Sequence, residues 1–596
     1  MRTINPRDPL FVAGGALLVF LVVMAAVFHV ERVTGFDSAW QSFQMLLERA
    51  PRCEHQRYST MITQLAPIVV LWCKGSLQSV LFTYSVSLIA IHLMVFAAIV
   101  LWVRDERALL AVPLALVAMV GGSFYFGVSE VQQGITAPLL VWALSRRALS
   151  ATTTGIACAW GAGAVAAMVW ATFFHVVYAL PVGYVLGLEM IARRGWLQPR
   201  YWVVLVSMLG AAVLRRWLVG MSDYERERMV DGPEFMQFVS ELSVLPSAEY
   251  LLGALPHFPA ILCLVGACVV VALLRLRWLS LVWTAAWTAL TVPLILIADR
   301  ATYSPYMYEN LYPLLGIAWA VFAVDLYAGL RRGRAAMNAA LVAAMVLGAW
   351  QVWRGRITYV DKVQYAERIS ADLREQGVRK AVLSAHLIPW GYAQTHWTLP
   401  FETLLISSMA GPDSAVTVFA EEPMDKAKPC MDDETRFIGP SWNICAFGMS
   451  QLDTALYRLP SGPYRIISTM PPSADRPPGT ARLIPLTTGF TMRSGDYDLL
   501  PVEVCWEGGT ELPALGTKAL TTIHYEMRNK LNGWVEGSGW TSLEMDLPPG
   551  TCRVVPLKVD RPARAGEHGL YLRLTVNEET IASAGPVTIR VHSFGM

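Results

Sequence analysis

Two acids, Glu31 and Asp37, stand in the stretch His29–Pro67, directly after the apolar run Leu10–Phe28. Both therefore fall a few residues beyond a membrane exit. A carboxylate there can take the proton of an attacking hydroxyl if it lies within hydrogen-bond reach. The same displacement needs cations where a departing phosphate gathers charge. Arg215, Arg216 and Arg300 are suited to that task, because a guanidinium offers a planar fork of donors and keeps its charge when partly buried. Glu130, His175, Tyr303, Glu309 and Asn310 fall near the ends of other apolar runs and could line one polar cavity.

Each of these residues has a structural reading as well. Asp37 could cap a helix that starts at Ser38, since aspartate is a favoured cap. Glu31 could be a solvated loop acid, and His175 could simply bond a carbonyl at a break between two runs. Arg215 and Arg216 are adjacent near a span's end, so one of them is expected to turn into the bundle. The tyrosines between 303 and 312 could form an interfacial aromatic belt, which would leave only Glu309 and Asn310 unexplained. From Ser38 to Arg49, Trp40, Phe43, Met45, Leu46 and Leu47 alternate with Gln41, Gln44, Glu48 and Arg49. That pattern predicts a two-faced helix lying in the interface.

The elements that must hold these residues are membrane helices. Of 596 residues, 54% are hydrophobic and 16% charged, whereas a soluble domain carries about a quarter charged residues. The fold class is a polytopic α-helical membrane protein with a soluble part. A net charge of +2 gives no reason to expect a polyanionic partner. No basic run, zinc-ligand spacing or phosphate-cradling glycine loop suggests nucleic acid, a nucleotide or a metal. Leu10–Phe28 reads as a retained anchor, being longer than a signal-peptide core.

Eleven apolar runs fall near 10–29, 80–103, 108–126, 132–146, 152–174, 176–193, 201–219, 257–274, 278–297, 306–329 and 335–353. Arg104 and Arg107, Arg146 and Arg147, Arg193 and Arg194, Arg275 and Arg277, and Arg332 and Arg334 occupy every second connection. The positive-inside rule makes those connections cytoplasmic. It places the N-terminus inside and residues 356–596 outside. The first outer loop is then 29–79, with Thr63–Lys74 as an interfacial or re-entrant segment.

Three regions follow: a membrane domain at 1–355, an α/β region at 356–481 and an all-β sandwich at 482–596. Tyr365–Gly377 reads as a helix and Lys380–Ser384 as a strand. Beyond 482, TTIHYEMRN and its neighbours alternate with period two between Pro and Gly breaks. Cys430, Cys445, Cys505 and Cys552 allow three pairings, of which Cys430–Cys445 is favoured because both lie in one polar loop.

GFDSAW (35–40), QRYSTMITQLAP (56–67) and KGSLQSVLFTYS (74–85) carry a resemblance. A long first outer loop with an early acid, an interfacial helix and a Gly-Ser turn into the second span resembles the membrane-integral GT-C glycosyltransferases. The motif likeness covers about the first hundred residues, and the rest is alike in architecture. The resemblance implies that Asp37 is the base that activates the acceptor and that the donor is a sugar on a polyprenyl phosphate. The reading takes an envelope glycan or lipid as acceptor and membrane lipids as partners, and it expects no metal or other cofactor because acidic metal-binding pairs are absent. The setting it implies is a bacterial inner membrane. Two departures stand out: Ser38 occupies the place of a second acid, and acidic metal-binding pairs are absent. In the all-β region, LPPGT (547–551) and VDRPARAGEHGLYLRLTV (559–576) resemble the Ig-like sandwich modules attached to bacterial envelope polysaccharide proteins. Rival readings are a non-catalytic polysaccharide assembly or transport component, and a lipid flippase or ligase.

Overall fold

The structure, a computed structural model, describes residues 9–591 except 221–225, 227–231, 241, 243–245, 299–308, 331, 385–387, 389–395, 422–430, 432, 438, 440–446, 468–478, 493–496, 514–520, 532, 544–545, 561, 563–565 and 577–578. Arg300, Tyr303 and the expected Cys430–Cys445 bridge lie outside the described residues. The chain forms two compact units, Met1–Tyr359 and Val360–Met596.

The first unit is helical. Among the described residues, seven helices are long and apolar enough to cross a membrane: α1 (Pro9–Val27), Leu77–Val103, Thr154–Thr172, Pro199–Val219, Trp278–Ala298, Glu309–Ala328 and Arg334–Glu375. The pair Tyr250–His257 and Pro259–Leu274, bent by 84°, makes up to eight if it is one span. The other expected crossings fall on shorter helices, Glu106–Ala115, Ala137–Ser150 and Ala179–Ala192. Local chemistry accounts for the first of these. Pro113 sits inside Glu106–Ala115, and a Gly121–Gly122 turn follows where a helix would have continued.

The basic connections meet at one end of this unit. Arg146 pairs Asp105 at 2.8 Å and Glu189 at 2.9 Å, and Arg193 pairs Glu189 at 2.5 Å. Arg107 and Arg277 both pair Asp325, the latter at 2.8 Å. Arg147 donates to the carbonyls of Val103 and Arg104, and Arg275 to that of Arg332. Four acids and bases here, Asp105, Arg146, Glu189 and Asp325, are largely enclosed. Buried charges persist only when matched in this way.

In the second unit, the strand expected at 380–384 is present. The first five strands are β1 (Lys380–Ser384), β2 (Thr417–Glu421), β3 (Arg436–Phe437), β4 (Phe447–Gly448) and β5 (Arg465–Ile467). They form a parallel sheet of order β2-β1-β5 and a small β3–β4 ladder. Helix Leu399–Ser408 is buried along its whole length, and its Glu402 pairs Lys362 at 2.7 Å.

The remaining strands are β6 (Gly479–Pro485), β7 (Gly489–Met492), β8 (Tyr497–Gly508), β9 (Thr521–Asn529), β10 (Val535–Ser542), β11 (Thr551–Asp560), β12 (Gly566–Val576) and β13 (Glu579–Val591). They form two sheets, β10-β9-β12-β13-β7 and β11-β8-β6. The sheets share one core that includes Val502, Trp506, Ile523, Met527, Leu557 and Leu570. Cys505 and Cys552 are directly opposite on β8 and β11 and are bonded to each other. Glu503 lies beside them, but two sulfurs joined in a disulfide leave no thiolate pair to bind a metal.

Arg146→Ala is expected to destabilise the helical unit by about 3–5 kcal/mol, because it leaves Asp105 and Glu189 enclosed without their shared cation. Thermal unfolding of the purified protein in detergent checks this. An unchanged melting temperature would show that the network contributes nothing.

Candidate functional site

The residues read as functional lie at the opposite ends of the helices that carry the ion network. Glu309 opens the helix whose far end holds Asp325. Glu130 and His175 precede the helices that carry Arg146 and Glu189.

After α1 the chain turns through α2 (His29–Val33) and then α3 (Asp37–Glu48). Helix α3 begins one residue earlier than expected. Phe36, not Asp37, holds the cap position, and it makes no side-chain cap bond. Asp37 is the first helical residue, so it is not a cap. Its carboxylate is half-buried at the helix N-terminus, where the macrodipole favours a negative charge. Phe36 adopts φ 54° and ψ −142°. A non-glycine residue in such a region costs on the order of 1–3 kcal/mol and persists only where the surroundings over-determine it. Here the Phe36 ring is fully buried and meets Tyr359 edge-on at 5.6 Å.

The two-faced pattern of α3 is corrected by its surroundings. Gln41 and Gln44 are buried along with Phe43, Met45 and Leu46, and only the last residues reach solvent. The helix is enclosed on nearly all sides rather than lying on a surface. Glu31 sits half-buried in α2.

Arg32, which the sequence reading did not single out, is the most enclosed cation of this region. It is 1% exposed and lies over the Phe124 ring at 4.1 Å. Its Nε and Nη1 have no hydrogen-bond partner. Gly127 leaves room for it: a Cβ there would stand 2.7 Å from Nη2. Burial pushes the Arg32 pKa down to about 9, with Tyr125 nearby opposing the shift. An arginine just after a span reads as an ordinary flank, and only long-range packing distinguishes this one.

Glu309 and Asn310 hold the segment 121–130. Glu309 accepts from the Ser123 amide at 3.0 Å and from the Tyr250 hydroxyl at 3.0 Å. Ser129 donates to the Asn310 side chain. The Gly121–Gly122 turn is pressed against Gly355, where an added Cβ would lie 2.6 Å from the Gly121 carbonyl carbon and the Gly122 nitrogen.

A second group forms around residue 57. Arg57 pairs Glu130 at 2.7 Å, and both are mostly buried. The His175 ring accepts from the Val177 amide at 3.2 Å and caps the turn Val176–Tyr178, which differs from the expected bond to a carbonyl. Burial, then the charges of Arg57 and Arg215, hold the His175 pKa well below the usual histidine value. Of the adjacent arginines, Arg215 is 4% exposed and lies over Phe173 at 5.6 Å, while Arg216 is exposed. The structure thus brings Glu130, His175 and Arg215 into one group, and Glu309 and Asn310 into another.

No family model matches the chain, and no curated protein matches it. Among solved structures it is similar to ArnT from Cupriavidus metallidurans, crystallised with undecaprenyl phosphate bound. The identity is 14% over 68% of this chain and 89% of that one, with a TM-score of 0.36.

Gly355→Ala is expected to cost about 1–3 kcal/mol, because the new methyl meets backbone that cannot turn aside. Gly15→Ala, in α1 with nothing within 4 Å of the added Cβ, is expected to be neutral or mildly stabilising. Melting temperatures of the two variants check the pair, and equal shifts would contradict the close approach.

Proposed function

We propose that the chain is a membrane glycosyltransferase. It moves a sugar from a polyprenyl-phosphate-linked donor to an envelope glycan or lipid acceptor. The observation that carries this reading is Asp37: a half-buried carboxylate at the first position of an enclosed helix, just after a backbone held in a strained conformation. Asp37 takes the proton of the acceptor hydroxyl as that oxygen forms a bond to the anomeric carbon. The bond from that carbon to the phosphate oxygen breaks, and its electron pair leaves with the polyprenyl phosphate. Guanidinium groups hold the growing charge. Arg215 suits this task as an enclosed cation, with Arg300 and Arg216 as further donors. Glu31, Glu130, His175, Tyr303, Glu309 and Asn310 shape the cavity. The reaction written this way needs no metal.

The reading also sets a topology. The clustered basic connections face the cytoplasm, and residues 356–596 lie outside, in the cell envelope of a bacterium.

Asp37→Asn keeps the shape but cannot take a proton. It is expected to fold, insert and bind the lipid donor, yet lose transfer by about 10²–10⁴-fold in a reconstituted assay. Near-normal transfer would end the catalytic assignment and favour a non-catalytic assembly component or a flippase. A reporter active only in the cytoplasm, fused after Met596, is expected to be silent, and a working fusion would overturn the topology.

A further inference from the structure

We propose that the turn between β9 and β10 is a membrane-anchoring tip, with Leu531, Trp534 and Val535 entering the interfacial layer of an anionic bilayer. Such an anchor would serve the chain whether or not it transfers a sugar.

Three apolar side chains stand out from a turn whose amides are already bonded. Leu531 is 94% exposed, Trp534 65% and Val535 54%. A cluster of large apolar side chains facing water marks a surface that something else covers. The Asn529 amide donates to the Trp534 carbonyl at 2.9 Å, and the Gly533 amide to the Asn529 carbonyl at 2.8 Å. The Leu531 amide donates to the Asn529 side-chain oxygen at 2.8 Å. Asn529 in turn donates to Glu536 at 3.1 Å, and Glu536 meets the enclosed His568 at 2.9 Å. The turn is therefore stiff, and lipid demands that the backbone entering it be bonded in this way. A glycan would instead be oriented by polar groups placed to bond it. An indole beside aliphatic side chains suits the boundary between lipid and water.

Direction and charge favour a bilayer as the occupant. Helix Arg334–Glu375 is long and apolar enough to cross a membrane, and its last part belongs to the second unit. Within that unit, Arg368 pairs Asp546 at 2.9 Å, and Asp361 pairs Arg553 in β11. The Leu543 amide donates to the Thr521 carbonyl, and the Tyr525 hydroxyl donates to Asp560 at 3.3 Å. The path from Arg368 back to Asp361 therefore runs in the same sense as β9 from Thr521 to Asn529. The tip stands at the end of the sandwich from which the helix leaves toward its apolar part. The helix tethers the unit to the membrane, so contact with the bilayer is intramolecular and a small apolar tip can shift it. Lys530 and Arg590 share Glu567, at 3.7 and 2.9 Å, and Arg528 and Arg573 share Glu526. Four bases against two acids leave a basic surplus on the strands behind the tip, which suits anionic headgroups.

The full-length protein carrying Leu531→Cys is labelled with an environment-sensitive dye and placed in nanodiscs of phosphatidylcholine and phosphatidylglycerol. Thr580→Cys, exposed at the other end of the same sheet, is the control site. The signal of the unaltered protein, labelled on its own cysteines, is subtracted from both. The dye at 531 is expected to be quenched by a nitroxide carried on the lipid and shielded from aqueous iodide, and the dye at 580 to show the reverse. Adding Trp534→Gln to the Leu531→Cys protein is expected to cut the ratio of inserted to free tip by about tenfold, the worth of one large apolar side chain. Replacing the phosphatidylglycerol by phosphatidylcholine is expected to lower that ratio by about threefold or more. Iodide reaching position 531 as freely as position 580 would overturn the proposal. Protection of position 531 from both quenchers would place a second copy or another protein on the tip and overturn it too. An unchanged ratio in a folded Trp534→Gln protein, or in nanodiscs without anionic lipid, would do the same. The quenching contrast between 531 and 580 decides the matter even where Trp534→Gln fails to fold. Because every readout is position in the bilayer, loss or survival of the catalytic reading at Asp37 leaves it untouched.

Discussion

Matched charge inside a bundle of low dielectric fixes the frame of the helical unit. Arg146 stands between Asp105 and Glu189, Glu189 also takes Arg193, and Asp325 takes both Arg107 and Arg277. Apart from the local Glu189–Arg193 pair, the links join different connections, so the ends of many helices are drawn to one level. None of these groups can leave its partner cheaply, because removing one partner strands an enclosed charge. Once those ends are set, the lengths of the helices decide where their other ends fall. The polar residues between 29 and 37, between 121 and 130, and at 175 and 309 inherit their placement from that constraint.

The far end is held by different means. Glycine lets backbone touch backbone at Gly355, and Glu309 then gathers the turn it presses on. The chain can hold Phe36 in an unfavourable conformation because its ring is buried against Tyr359. Rigid packing of this kind can position a carboxylate with little side-chain freedom left to lose.

Local pattern was legible, and distant company was not. The strand Lys380–Ser384 and the segment TTIHYEMRN, which is β9, are visible in the sequence because alternation and flanking breakers are local signals. The apolar runs show membrane character, but the run at 108–126 hides Pro113 and a Gly-Gly turn that stop its helix at Ala115. Gln41 and Gln44 look solvated in sequence, and neighbours far along the chain enclose them. Arg32 gives no local sign that Phe124 and Gly127, about ninety residues on, will surround it. The Cys505–Cys552 bond follows from strand register, which cysteine spacing alone does not specify.

The same comparison sorts the acids. Glu130 is one half of an ion pair with Arg57. Glu309 accepts from an amide and a phenol, which makes it a clamp on the 121–123 turn. A carboxylate that holds structure in this way would release its partners if it took up a proton, so it is a poor general base. Asp37 differs in the place it occupies. The cap position, which would have given it a structural task, belongs to Phe36. A helix N-terminus favours the charged carboxylate, the form that can accept a proton, and the catalytic role proposed for Asp37 rests on that placement.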